Sequence, residues 1–457
     1  MLTKDSFLLM GEKGLGNPRS RVAHAMAWFR DQLYLGVTNP RGDSPKDAAR
    51  ILRFDPGTME WNQVWISPLV DADARSRARD VYRGNRFKEH RLNHLPVTET
   101  VPRHRGIRCM SLYQHANKSE SVLYIGTLSQ FGASLLMTTD GSEFLTLPPP
   151  IPDCLDATIL SYRSMVAFAG KLFVAPTGLV DSQIMDRNFG DGPRLFVTDN
   201  PLSGVWHSAL PSDFGDAGDR SIFSLAVFAG YLYASTGNPD RGFYLWRTQA
   251  EGDPPFQWEM VLSDGAWRYN LNETAATMAV FGGSLYIGSG LPGLGYDKAN
   301  DVGPAAFELL RVFEDNSWDL VAGTPRFTSD GFKVPLSKMG PGFDDPFNSV
   351  VWSMTEHNGC LYVGTHQWEP FYVALKGGPV MRGGFELWGT GDGENWVRIV
   401  SEGLHDHYQT GLRSQLSTPL GLIMGTSNHQ EIERRWLHFD RSTSAGGFQV
   451  WLGLDEL

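Results

Sequence analysis

An alternating apolar run ends at Phe168, Ala169-Gly170 makes a tight turn, and a second apolar, β-branched run returns from Lys171 to Val174. Period two on both sides of a two-residue turn predicts a β-hairpin with one face towards a core. The same phrase, MVAFAGKLFVAPTG at 165–178, comes back as LAVFAGYLYASTG from Leu225, MAVFGGSLYIGSG from Met278 and MTEHNGCLYVGT from Met354. Aligned on the first Leu of the second run, the copies fall at Leu33, Leu123, Leu172, Leu232, Leu285, Leu361 and Leu422. A third run follows each hairpin, as in RLFVTD (194–199), FYLWRT (243–248) and FELWGTGDG (385–393). A fourth opens at Trp206, Trp258, Trp318 or Trp396.

Four short antiparallel strands repeated around a chain predict an all-β, seven-bladed β-propeller of four-stranded blades, a single domain over 1–457. A stack of sandwiches would need a separate core for each unit. The seventh copy ends in GGFQVWLGLDEL, with a third run and no fourth, while SFLLMG (6–11) precedes the first copy. That N-terminal strand is expected to complete the last blade and close the ring. The stretches GFELWGTGDGENW (384–396) and LLMTTDGSEF (135–144) resemble the Asp-box turns of sialidase-like propellers, one residue shorter than the usual box, with a looser likeness to kelch repeats. The resemblance implies a fold and no activity.

The turns inside the hairpins are minimal: Arg30-Asp31, Ala169-Gly170, Ala229-Gly230, Gly282-Gly283 and Asn358-Gly359, with QHANKSES (114–121) the longer exception. The long segments all belong to the other rim. They are the crossings 66–103 and 321–347 and the insertions 175–193, 290–306, 366–383 and 427–446. Insertions gathered on one rim mark a binding face. Within 66–103, an Arg-rich run (71–91) reads equally as a solvated helical face or as a lid adding positive potential over the mouth.

Nine positions before the aligned Leu, allowing for the longer second turn, stand His24, Arg108, Arg163, Phe223, Ala276, Trp352 and Arg413. The next column is small throughout (Ala25, Cys109, Ser164, Ser224, Thr277, Ser353, Ser414), as close packing of inner strands requires, and a Met-rich column follows it as core. Clustered guanidinium groups need anionic partners. Either acids such as Glu273, Asp219, Asp344 and Asp345 neutralise them, or Arg108, Arg163 and Arg413 hold a carboxylate, phosphate or oxyanion. His24, His366 and Tyr408 are the candidate proton movers, with Trp352, Trp368, Phe223 and His429 expected to line the ligand. His405 and His407, on one side of an extended HDH segment, are the only start of a divalent-metal site, and otherwise no cofactor is expected.

Composition trims the function classes. A formal net charge of −11 excludes a general nucleic-acid binder. The three cysteines, Cys109, Cys154 and Cys360, read as reduced thiols, no apolar stretch reaches a membrane span, and the N-terminus lacks a signal-peptide core, so a cytoplasmic protein with no membrane partner is expected. No P-loop, dinucleotide fingerprint or nucleophile elbow is present. The leading expectation is a cofactor-independent enzyme moving a proton on an anionic or polar small molecule, by elimination, isomerisation or cyclisation, as in lyase-type or biosynthetic tailoring propellers. The alternatives are a non-catalytic protein-binding scaffold, for which HQWEPFY (366–372) offers aromatics, and a carbohydrate-binding or glycan-cleaving propeller.

Overall fold

Each recurring phrase folds as the antiparallel hairpin its pattern predicts. The computed structural model describes residues 1–39, 44–71, 100–115, 120–149, 159–179, 188–292, 295–297, 300–376, 380–429 and 446–455. The hairpins' first strands are Val22–Phe29, Gly106–Gln114, Ile159–Phe168, Ser221–Phe228, Thr274–Phe281, Asn348–His357 and Gln409–Thr418. Five of the two-residue turns use left-handed backbone at both positions, as at Arg30-Asp31 (φ 51 and 58°) and Asn358-Gly359 (φ 47 and 72°), which matches the twist of the flanking strands, while the seventh hairpin turns through Pro419-Leu420.

Third and fourth strands extend each hairpin into a four-stranded antiparallel blade, for example Leu245–Thr248 and Glu259–Leu262 after the fourth hairpin. The last blade is completed by Phe7–Leu9, which pairs with Val450–Gly453 in the register Phe7↔Gly453. First strands of successive blades contact one another in a closed cycle, the seventh against the first, so they are the innermost strands of a ring. All seven aligned leucines are fully buried between blades.

Adjacent blades are held by a repeated link that close packing alone did not predict. A β-bulge interrupts every first strand, and at five of the seven the carbonyl just before the bulge accepts a hydrogen bond from the preceding blade. There the small-residue column supplies a donor. Ser224 Oγ donates to the Ala275 carbonyl, Ser353 Oγ to Leu412 and Ser414 Oγ to Ala23, each at 2.8 Å, and the Cys109 thiol reaches Tyr162 at 3.2 Å. Where that column holds Ala25, the Thr38 hydroxyl takes over and donates to the Ile107 carbonyl at 3.1 Å.

Buried charge is concentrated in clamps where the crossings enter blades five and six. Glu308, fully buried, accepts from Arg326 Nη2, Asn272 Nδ2 (both 2.9 Å) and the Thr324 amide (2.7 Å), with Arg268 Nε at 3.5 Å. Glu386 is held in the equivalent way by Asn348 Nδ2 (2.7 Å), Trp388 Nε1 and Arg398 Nη1 (both 2.9 Å). The two asparagines also cap left-handed crossing turns, donating to the carbonyls of Gly265 (2.9 Å) and Gly342 (3.0 Å). Such turns are strained for ordinary side chains, and the clamp supplies the tertiary contact that holds them.

The Arg-rich stretch, read equally as a solvated face or as a lid, lies almost entirely outside the described residues, as do Cys154, 180–187 and 430–445. At the base of the 66–103 crossing, Leu69–Asp71 pairs with Thr100–Pro102 as a two-stranded ribbon. Among the described residues no helix is long and apolar enough to cross a membrane.

Candidate functional site at the channel mouth

The column found nine residues before the aligned leucines coincides with the bulges. Every blade has a register shift at this column, at His24, Arg108, Arg163, Phe223, Ala276, Trp352 and Arg413, and blades six and seven have a second one at Ser349 and Thr410. A bulge re-aims its extra residue, and repeating it seven times lays those side chains next to one another around the axis. Every first strand ends at its hairpin turn, so the bulges near its beginning lie towards the opposite rim, which carries the long insertions.

Two lateral chains of contact join six of the seven. In one, Arg413 Nη2 donates to His24 Nε2 at 2.7 Å, Nη1 reaches the Trp352 carbonyl at 3.4 Å, and the guanidinium carbon lies 5.5 Å from the Trp352 ring centre. Because arginine can only donate, His24 is neutral with its proton on Nδ1. In the other chain, Arg108 Nη2 (2.9 Å) and Arg163 Nη1 (3.0 Å) converge on Asn188 Oδ1, while Arg163 Nε donates to the Phe223 carbonyl at 2.9 Å. The Arg163 guanidinium lies 3.3 Å from the centre of the Phe223 ring. Asn188 belongs to the third blade's insertion, where no repeat phase exists to reveal it.

His366 backs the Trp352 wall. It is 2% exposed, its ring lies 4.2 Å from that of Trp352, and the His429 ring is 6.1 Å away. Ser349 Oγ donates to the His366 carbonyl (3.2 Å) and accepts from Nδ1 (3.1 Å), leaving Nε2 as a bare acceptor without a hydrogen-bond partner. Burial, and then the nearby His429 and Arg413 charges, hold His366 well below the ordinary histidine range, so it is neutral at pH 7. Burial likewise lowers Arg413 to about 10, still charged at neutral pH. His429 Nδ1 is 2.6 Å from Thr410 Oγ1, and Phe371, from the helix Glu369–Leu375, packs 5.1 Å from the His429 ring.

Gly411 makes the wall fit. A Cβ there would sit 2.3 Å from two Trp352 ring carbons and 3.1 Å from His366 Cδ2. The missing side chain lets the indole lie flat across the seam where Gly411 pairs with His366.

Other candidates fall elsewhere. Trp368 and Tyr408 pack into an apolar cluster with Phe371, Ala374 and Val380 under the sixth blade's helix. His405 is exposed at the end of a left-handed turn (φ 68°) rather than in an extended segment, and His407 Nδ1 engages the Gly383 carbonyl at 3.1 Å. The extended geometry expected of that pair therefore does not hold. No group of three or more His, Cys, Asp or Glu gathers for a metal among the described residues.

Three of the acids expected to neutralise the arginines serve their own loops. Asp219 accepts from Thr236 Oγ1 (2.7 Å), Asn238 Nδ2 (3.1 Å) and the Asp216 amide (2.9 Å). Asp344 Oδ1 caps the Gly340 amide at 2.7 Å, and Asp345 Oδ1 caps that of Phe347 at 2.8 Å. Glu273 is fully buried at the entry to blade five.

No protein-family model matches the chain, and no curated protein matches it. Solved structures share its layout at low identity. A GH74 enzyme of Niastella koreensis is 11% identical with a TM-score of 0.46, over 93% of this chain and 60% of that one. A GH74 xyloglucanase from Xanthomonas campestris is 12% identical with a TM-score of 0.47, over 98% and 55% of the two chains. The Trypanosoma rangeli sialidase in complex with sialic acid is 9% identical with a TM-score of 0.40, over 95% of this chain and 54% of that one. This chain thus spans little more than half the length of those proteins, and the likeness extends to neither activity nor substrate.

Proposed function

We propose that the insertion-bearing mouth of the channel binds a small organic anion, with Arg413 as its principal partner. The observation that carries this reading is the company Arg413 keeps. Its hydrogen bonds go to a neutral imidazole and a backbone carbonyl, and among the described residues no carboxylate pairs with it. An enclosed guanidinium without a countercharge is costly, and a ligand carboxylate or phosphate would relieve that cost through charge-assisted, bidentate hydrogen bonds. Arg108 and Arg163 stand on the next blades but one and two around the ring.

The binding half of the sequence expectation is better supported than the proton-transfer half. The His24 lone pair is committed to Arg413, and His366 is buried behind Trp352 and held neutral. A carbohydrate ligand is the second reading, favoured by the part-exposed aromatic ring of Trp352. Most glycoside hydrolases flank the scissile bond with two carboxylates, and no bulge position carries one. A uronic acid would still satisfy Arg413.

Thermal unfolding against acetate, benzoate, succinate, inorganic phosphate, galacturonate and neutral sugars tests the reading. A ligand bound only by the folded state raises the midpoint, increasingly with concentration. Carboxylates are expected to raise it and neutral sugars to leave it unchanged. No shift with any anion would overturn the proposal.

A further inference from the structure

The bulge ring is divided by chemistry. Going round the axis from blade seven through blades one, two and three, it presents Arg413, His24, Arg108 and Arg163, a continuous basic and polar arc. Blades four, five and six present Phe223, Ala276 and Trp352, a continuous apolar arc. Both boundaries are guanidinium–aromatic contacts, Arg163 on Phe223 at 3.3 Å and Arg413 beside Trp352 at 5.5 Å. An arginine stacked on an aromatic ring keeps its edge donors in plane for an anion, so each boundary joins a charged acceptor site to an apolar face.

From this division we infer that the ligand is an amphipathic anion, an aromatic or alicyclic carboxylate, rather than a polyanion or a fully hydroxylated sugar acid. The inference rests on the anion-binding reading of the same mouth. The carboxylate takes the Arg413 side of the ring, and the apolar body lies against the opposite arc. Ala276, the smallest residue of that arc, and the part-exposed Trp352 ring on the next blade are where a planar body would lie, while Phe223 is buried beneath the Arg163 guanidinium. A sugar acid would set hydroxyl groups against Phe223, Ala276 and Trp352, none of whose side chains can accept a hydrogen bond. A polyanion would place its second charge on the same apolar surface, without a partner.

Calorimetric titration of the full chain with acetate, succinate, galacturonate, benzoate and 2-naphthoate separates this inference from the reading beneath it. The expected order is naphthoate tightest, then benzoate, with acetate, succinate and galacturonate at least about ten-fold weaker than naphthoate. Ala276→Leu should weaken naphthoate at least ten-fold and leave acetate within two-fold. The ligand series on the unaltered protein decides the matter even if that variant fails to fold. Equal affinity for acetate and naphthoate, or tightest binding of succinate or galacturonate, would overturn the amphipathic ligand and leave the anion site standing. No heat from any carboxylate would overturn both.

Discussion

Glu308 and Arg413 are both charges drawn in from solvent, yet the protein treats them in opposite ways. Glu308 is surrounded by two arginines, an asparagine amide and a backbone amide, so nearly every lone pair is met from within the chain. Among the described residues, Arg413 is met by neutral groups alone. Where a buried charge serves the architecture, partners from the crossing and the blade close around it. On the proposed reading the countercharge at the channel mouth comes from outside, and that difference separates a clamp from a site.

The contrast can be broken at several points. Glu308→Gln strands Arg326 and Arg268 in the interior and should cost about 3–5 kcal/mol in urea unfolding. A loss below about 1 kcal/mol would mean that the clamp's charges are not coupled. Gly411→Ala forces Trp352 off the seam, for an expected loss of about 1–3 kcal/mol together with weaker binding of aromatic carboxylates. Unchanged affinity would remove Trp352 from the site. Ser414→Ala deletes one link from blade seven to the bulge carbonyl of blade one and should cost about 1 kcal/mol without altering anion affinity.

A pH dependence at Asp219 offers a further break. Burial raises this carboxyl from 3.8 to about 6 in the folded protein, against the pull of its hydrogen bonds. The folded state then holds a proton that the unfolded chain releases near pH 4. Its contribution to stability is therefore fullest at acid pH and is lost as pH rises from about 4 through about 6. Asp219→Asn should flatten the stability profile across that window, and an unaltered slope would show that another group carries it.

Much of this architecture is legible in the chain because the hairpin repeat sets a common phase. Once the leucines are aligned, the residues nine positions earlier form a column, and that column proved to be the ring of bulges. The bulges themselves are invisible to pattern reading. They arise from unequal residue counts on paired strands, which composition does not record. The small column showed its hydroxyl groups plainly, yet packing explains Ser353 and Ser414 as readily as hydrogen bonding does until the carbonyls of Leu412 and Ala23 are seen to turn towards them. Asn188 and Ser349 were missed for different reasons. Asn188 lies in an insertion without a phase, and Ser349 sits at the head of a strand before the aligned columns begin. The HDH segment misled because extended geometry was assumed where His405 closes a left-handed turn.

Arg413→Met tests the central claim most directly when stability and anion affinity are measured on one preparation. With only neutral partners to lose, the variant should unfold at the same urea concentration as the unaltered protein or a higher one, and it should bind benzoate at least about a hundred-fold more weakly, the loss expected of a charge-assisted bidentate contact. A marked fall in stability with benzoate affinity intact would show that the Arg413 charge belongs to the fold, and the mouth would cease to be an anion site.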